Sequence, residues 1–239
     1  MKLAATPPAS VSATAMQPRA TPLAHRPEPV HPPPLQPLAR VVGILAVVAS
    51  AMYFASDAIE AAQGGFSTLQ LWLTLVAEAA IPVFVIGLVL VLGPRLGPVG
   101  RIAAGAYAYA FTVFTGTVVY ALANGTEDYD ALTEDLGPLM TVHGIVMVVA
   151  GIGLGAAVIR RRALPVWAGI CLIVGVILVA ATQGMPVGAE LIASGTRDLA
   201  FAAFGVALLP RRAEAVTSAA WQCHRTRGRT TSRSQPDRR

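Results

Sequence analysis

The fold turns on residues 138–183, PLMTVHGIVMVVAGIGLGAAVIRRRALPVWAGICLIVGVILVAATQ. Two apolar runs, 138–159 and 163–183, flank three consecutive arginines, Arg160, Arg161 and Arg162. A helix of about 20 apolar residues covers the ~30 Å hydrocarbon core of a bilayer at 1.5 Å per residue. Arginines in short loops resist translocation, so the triplet is expected on the cytoplasmic side, with the two runs forming a hairpin across the membrane.

The same reading extends outward in both directions. Further apolar spans lie at 41–60, 68–92, 101–123 and 189–210. Their short connections suit antiparallel neighbours. If the N-terminus is cytoplasmic, residues 1–40, the 93–101 loop, the arginine triplet and everything from Arg211 hold seventeen of the eighteen basic residues. Ten of the thirteen acids fall on the outer ends, in the outer loops or in the outer membrane half, and Arg197 is the one basic residue among them. Only 13% of the chain is charged and 54% is apolar, against about 25% charged in a soluble domain. These observations predict an all-α polytopic bundle of six transmembrane helices in the cell membrane, with both termini cytoplasmic.

The chain divides into three parts. Residues 1–38 carry ten of the eighteen prolines, a composition that cannot bury enough apolar surface to order itself, so a disordered arm is expected. Residues 39–212 form the six-helix domain. Residues 213–239 read as a disordered basic tail with six arginines; with the basic loops, it suits anionic lipid headgroups. Nothing in the pattern points to a nucleic-acid partner.

Small residues are expected to bring the helices close. Gly151 and Gly155 are four apart and share one helix face. Close backbone approach there replaces the hydrophobic drive that lipid does not supply. Pro82, inside the second span, removes one backbone donor and frees a carbonyl near residue 78.

Four ionisable residues are placed in the outer half of the spans: Glu78, His143, Arg197 and Asp198. Charges in a span are costly and usually face the bundle interior. Adjacent helical residues project about 100° apart, so Arg197 and Asp198 are expected to seek partners on other helices. Glu78 is the natural carboxylate for Arg197, and His143 or Ser194 suits Asp198. The four would then line an outward-facing polar pocket. Alternatively, the last span starts later, residues 188–196 form an interfacial loop, and the charges sit among headgroups. Asp57 and Glu60 close the first span on the same side, and Glu127–Asp135 reads as a solvated acidic loop.

Much chemistry is absent. A membrane haem with two histidine ligands needs a second histidine in the spans, and only His143 qualifies. HExxH, phosphate-cradling loops and serine-nucleophile motifs are missing. No cofactor or metal is expected. An enzyme acting on lipid through the same polar residues is the weakest reading. The glycine faces and polar-poor spans fit a non-enzymatic accessory or scaffold unit, packing with other membrane chains or with copies of itself. The alternative is a small transporter or proton-linked carrier using Glu78, His143, Arg197 and Asp198.

Overall fold

The computed structural model describes residues 35–209. The expectations for residues 1–34 and for the basic tail lie outside the described residues. Residues 35–38, expected in the disordered arm, are instead the first turn of a helix.

Among the described residues, all regular structure is helical. The helices are α1 (Leu35–Gln63), α2 (Thr68–Leu92), α3 (Gly97–Asn124), α4 (Tyr129–Arg161), α5 (Val166–Ala181) and α6 (Val187–Leu208), with a 3-10 turn at Gly93–Leu96. Leu35–Gln63, Thr68–Asn124, Tyr129–Arg161 and Val187–Leu208 are long and apolar enough to cross a membrane. The second of these stretches is α2 and α3 in succession. Gly93 (φ 48) opens the 3-10 turn and Gly97 (φ 68) follows it, both in the backbone region that glycine enters without Cβ strain. The turn reverses the chain, and α2 and α3 pack against each other.

Each helix packs on its sequence neighbours, and α6 closes on α1, so the six form a ring. Side chains fill its centre: Phe84, Tyr107, Phe111, Phe201 and Phe204 are all fully buried. The outward surface is apolar on every helix, as Val41, Leu90, Ile102, Val149, Ile170 and Ile192 show. A water-facing bundle would carry charge there, whereas this surface suits lipid. Trp72 and Trp167 are exposed near helix ends, where amphipathic rings anchor at an interface.

Three boundaries differ from the sequence reading. The acidic run Glu127–Asp135 is largely the start of α4 rather than a loop. Asp128 caps that helix by accepting from the Ala131 amide at 2.9 Å, and Asp130 lies in the first turn, where negative charge favours helix formation. The lipid-length part of α4 begins after a kink at Gly137 (φ 3, ψ −84), immediately before Pro138. Helix α5 has 16 residues, about 24 Å at 1.5 Å per residue, because Pro165 begins it and Thr182 ends it. Finally, α6 starts at Val187, so residues 188–196 are helical rather than an interfacial loop.

Glycines set the closest crossings. A Cβ on Gly155 would lie 2.8 Å from the Gly169 carbonyl oxygen, and one on Gly151 would lie 2.8 Å from Val176 and 3.0 Å from the Tyr107 ring. Gly43 and Gly205 bring α1 and α6 together in the same way. At Gly175 a Cβ would fall 2.6 Å from the backbone of Arg197, so α5 lies directly against the part of α6 that bears the charge.

Candidate functional site

Tyr53 lies ten residues before the end of α1 at Gln63. Glu78 and Arg197 lie ten residues after the starts of α2 and α6. At 1.5 Å per residue all three sit about 15 Å below the same rim, and there they meet.

Glu78, Arg197 and Asp198 are 5%, 4% and 3% exposed. Arg197 donates from Nε to Asp198 Oδ1 at 3.1 Å. Its Nη2 is also 3.1 Å from that oxygen but is not aligned as a hydrogen bond. This is the one salt bridge among the described residues. The expectation that adjacent residues must pair elsewhere is therefore corrected. Their Cα–Cβ bonds diverge, but the long arginine side chain bends back to its neighbour. The expected Arg197–Glu78 pair is corrected too. The Tyr53 hydroxyl donates to Glu78 Oε1 at 2.8 Å, and the Arg197 guanidinium lies over the Tyr53 ring, 4.4 Å from its centroid. Tyr53 thus stands between the carboxylate and the cation, engaging one by a hydrogen bond and the other by its π face.

Three polar atoms of this cluster are buried without a partner among the described residues, Glu78 Oε2, Asp198 Oδ2 and the Tyr107 hydroxyl, while Arg197 Nη2 has only its ionic contact with Asp198. Tyr107, on α3, lies within electrostatic reach of Arg197 and Asp198. Asp57, half-buried on α1, lies within reach of Arg197. Pro82 sits four residues after Glu78, so the Glu78 carbonyl lacks its usual helical donor. Buried polar groups are normally satisfied, so water or a ligand is expected beside these atoms.

His143 stands apart from this cluster. It is half-buried on α4, with Nε2 3.0 Å from the Tyr109 hydroxyl and Nδ1 2.8 Å from the Leu139 carbonyl. The other three residues of the expected pocket converge, and His143 is satisfied on the α3–α4 face. Ser194 donates to the Leu191 carbonyl at 3.2 Å, and its side chain faces Asp57 of α1 rather than Asp198.

A polar seam between α1 and α2 leads from the rim towards the cluster. Gln70 Nε2 donates to Glu60 Oε2 at 3.0 Å and to Thr74 Oγ1 at 3.1 Å. Ser56 and Thr74 share a hydrogen bond, and Ser56 also donates to the Gln70 carbonyl at 3.0 Å. Ser56, Gln70 and Thr74 are buried and Glu60 is half-buried. The sequence reading missed this seam, although a signal was present. Gln70, Thr74 and Glu78 recur every four residues along one α2 face, and Tyr53, Ser56 and Glu60 fall at matching turns of α1.

Inward of Arg197 the polar character stops. Phe201, one turn further along α6, meets Phe84 at 5.4 Å, Tyr107 at 5.9 Å and Phe111 at 6.3 Å between ring centroids. The cluster therefore has a polar approach on one side and an aromatic floor on the other. No family model, curated protein or solved structure matches the chain.

Proposed function

We propose that this chain is a six-span plasma-membrane protein with both termini cytoplasmic, acting as a small proton-linked carrier whose site is the Tyr53–Glu78–Arg197–Asp198 cluster. The observation that supports this reading is the set of three buried polar atoms at mid-depth, Glu78 Oε2, Asp198 Oδ2 and the Tyr107 hydroxyl, that have no partner among the described residues. Charge there is costly, and membrane proteins keep it where it acts. Three carboxylates, Asp57, Glu78 and Asp198, surround one guanidinium, so the charge count suits a cation rather than an anion. The proton is the cation that a set of carboxylates and hydroxyls suits.

Tyr53 supplies a coupling. A carboxylate accepts a hydrogen bond roughly twice as strongly as a neutral acid. Protonating Glu78 therefore loosens Tyr53, whose ring carries Arg197. A change on α2 would reach α6 through one side chain of α1. The solute would bind at Tyr107, Arg197 and Asp198, and a screen identifies it.

The scaffold reading loses part of its motivation. Gly151 and Gly155 face other helices of the same chain and offer no free surface to a second one. Arg95, Arg101 and Arg160–Arg162 fall at the opposite helix ends from the cluster's rim, and on this reading they face anionic headgroups.

Proteoliposomes loaded with a pH-sensitive dye test the proposal. A member of a panel of sugars, amino acids and organic ions is expected to collapse an imposed proton gradient with the native chain and not with Glu78→Gln or Arg197→Gln. A panel without effect, or a Glu78→Gln variant equal to the native chain, contradicts it.

A further inference from the structure

We infer that the α1–α2 seam is the external proton route and that Glu78 Oε2 is its terminus. This inference rests on the carrier reading for its purpose, but its geometry stands separately. The seam begins at Glu60, the half-buried carboxylate at the rim, within electrostatic reach of Asp57, Asp128 and Glu190. That acidic rim concentrates cations at the mouth. Below it, the Ser56 and Thr74 hydroxyls can each accept a proton on oxygen while releasing their own. Gln70 holds Glu60 and Thr74 together through Nε2 and leaves its Oε1 buried and unpartnered. Glu78 Oε2, at the foot, is likewise bare. Two buried acceptors, one at each end of a line of hydroxyls, suit a short file of water.

One helical turn, about 5.4 Å, separates Thr74 from Glu78, a gap that a single bridging water spans. The transfer balances simply. A proton leaves external water, passes through the water and hydroxyl oxygens, and ends on Glu78 Oε2 as a neutral carboxylic acid. One positive charge moves inward and nothing is oxidised or reduced. Groups on three other helices bear on Glu78: Tyr53 and Asp57 from α1, Arg197 from α6, and Tyr129 at the head of α4. From α3, Tyr107 faces Arg197 and Asp198. Phe84, Phe111 and Phe201 carry no hydroxyl, and Tyr107, packed against Phe111 and Phe201, is the group that a proton leaving the cluster would meet there.

Rapid-mixing infrared spectroscopy on the purified full chain in detergent tests this without any solute. After a drop in pH, the carboxylic C=O band that Glu78→Gln removes is expected to rise rapidly in the native chain. In Gln70→Leu/Thr74→Val it should rise about tenfold more slowly, equal to about 1.4 kcal/mol of barrier, and reach the same final amplitude. Thr74→Ser keeps the hydroxyl and is expected to retain the native rate, which separates loss of the relay from loss of the fold. Equal rates in the native chain and Gln70→Leu/Thr74→Val overturn the route and leave the carrier reading standing. If no band is removed by Glu78→Gln at any pH, the terminus fails and the carrier reading with it.

Discussion

The two halves of the ring use similar helices for different ends. On the α1–α2–α6 side, the Glu60–Gln70–Thr74–Ser56 seam and the Tyr53–Glu78–Arg197–Asp198 cluster follow one another from a rim to mid-depth. On the α3–α4–α5 side, Gly151, Gly155 and Gly169 let backbones touch, and the polar pair Tyr109–His143 stays on the outer face. Burying charge opposes stability in hydrocarbon, whereas glycine crossings favour it through dispersion. Gly175 joins the two sides by setting the glycine-rich α5 against the backbone of Arg197.

Substitutions can break or sharpen this contrast. The largest effect is expected from Arg197→Leu, which strands Asp198. Losing one partner of a buried ion pair costs about 3–5 kcal/mol, whereas replacing both by apolar groups is often neutral. Arg197→Leu/Asp198→Leu is therefore expected to recover most of the loss in detergent unfolding followed by circular dichroism. A double variant as unstable as the single one would deny that the pair compensates itself. Next comes Gly175→Ala, expected to cost about 1–3 kcal/mol as overpacking against Arg197. Gly105→Ala has nothing within 4 Å of the new methyl and is expected to be neutral or slightly stabilising. Equal effects at the two glycines would remove the claim of backbone contact.

Tyr53→Phe keeps the ring beneath Arg197 and deletes the bond to Glu78. Hydrogen bonds between membrane helices are worth about 0.6 kcal/mol on average and up to about 1.7. A loss in that range is expected in the same unfolding assay, and no loss would place Glu78 outside the network. The smallest effect belongs to His143→Ala, expected within about 0.5 kcal/mol. A large destabilisation there would erase the distinction between the two sides.

Much of the architecture was legible in the sequence because lipid imposes a simple rule. Runs of about 20 apolar residues must be helical where no water can satisfy the backbone. The runs around 41–60, 68–92, 101–123, 138–159 and 189–210 all coincide with helices. Residues 163–183 were less legible, because hydropathy does not register that Pro165 and Thr182 shorten α5. Glu78, Arg197 and Asp198 were legible as rare charges in apolar runs. Their partners were not, since an angular rule for Cα–Cβ directions ignores how far arginine bends. Tyr53 went unnoticed because a tyrosine in an apolar run looks like core. Ser56, Gln70 and Thr74 carry no charge, so only their spacing on facing helices marks the seam.

The seam matters only if its rim faces outward, and labelling of single cysteines tests that most directly. In a chain with Cys171 and Cys223 replaced, cysteines at Gly65, Gly125 and Gly184 lie in the connections on the rim side, and those at Arg95 and Arg162 lie at the opposite end. A membrane-impermeant thiol reagent is expected to modify the first three in intact cells, and the last two only after permeabilisation. Modification of Arg95→Cys or Arg162→Cys from outside, with Gly65→Cys protected, would contradict it.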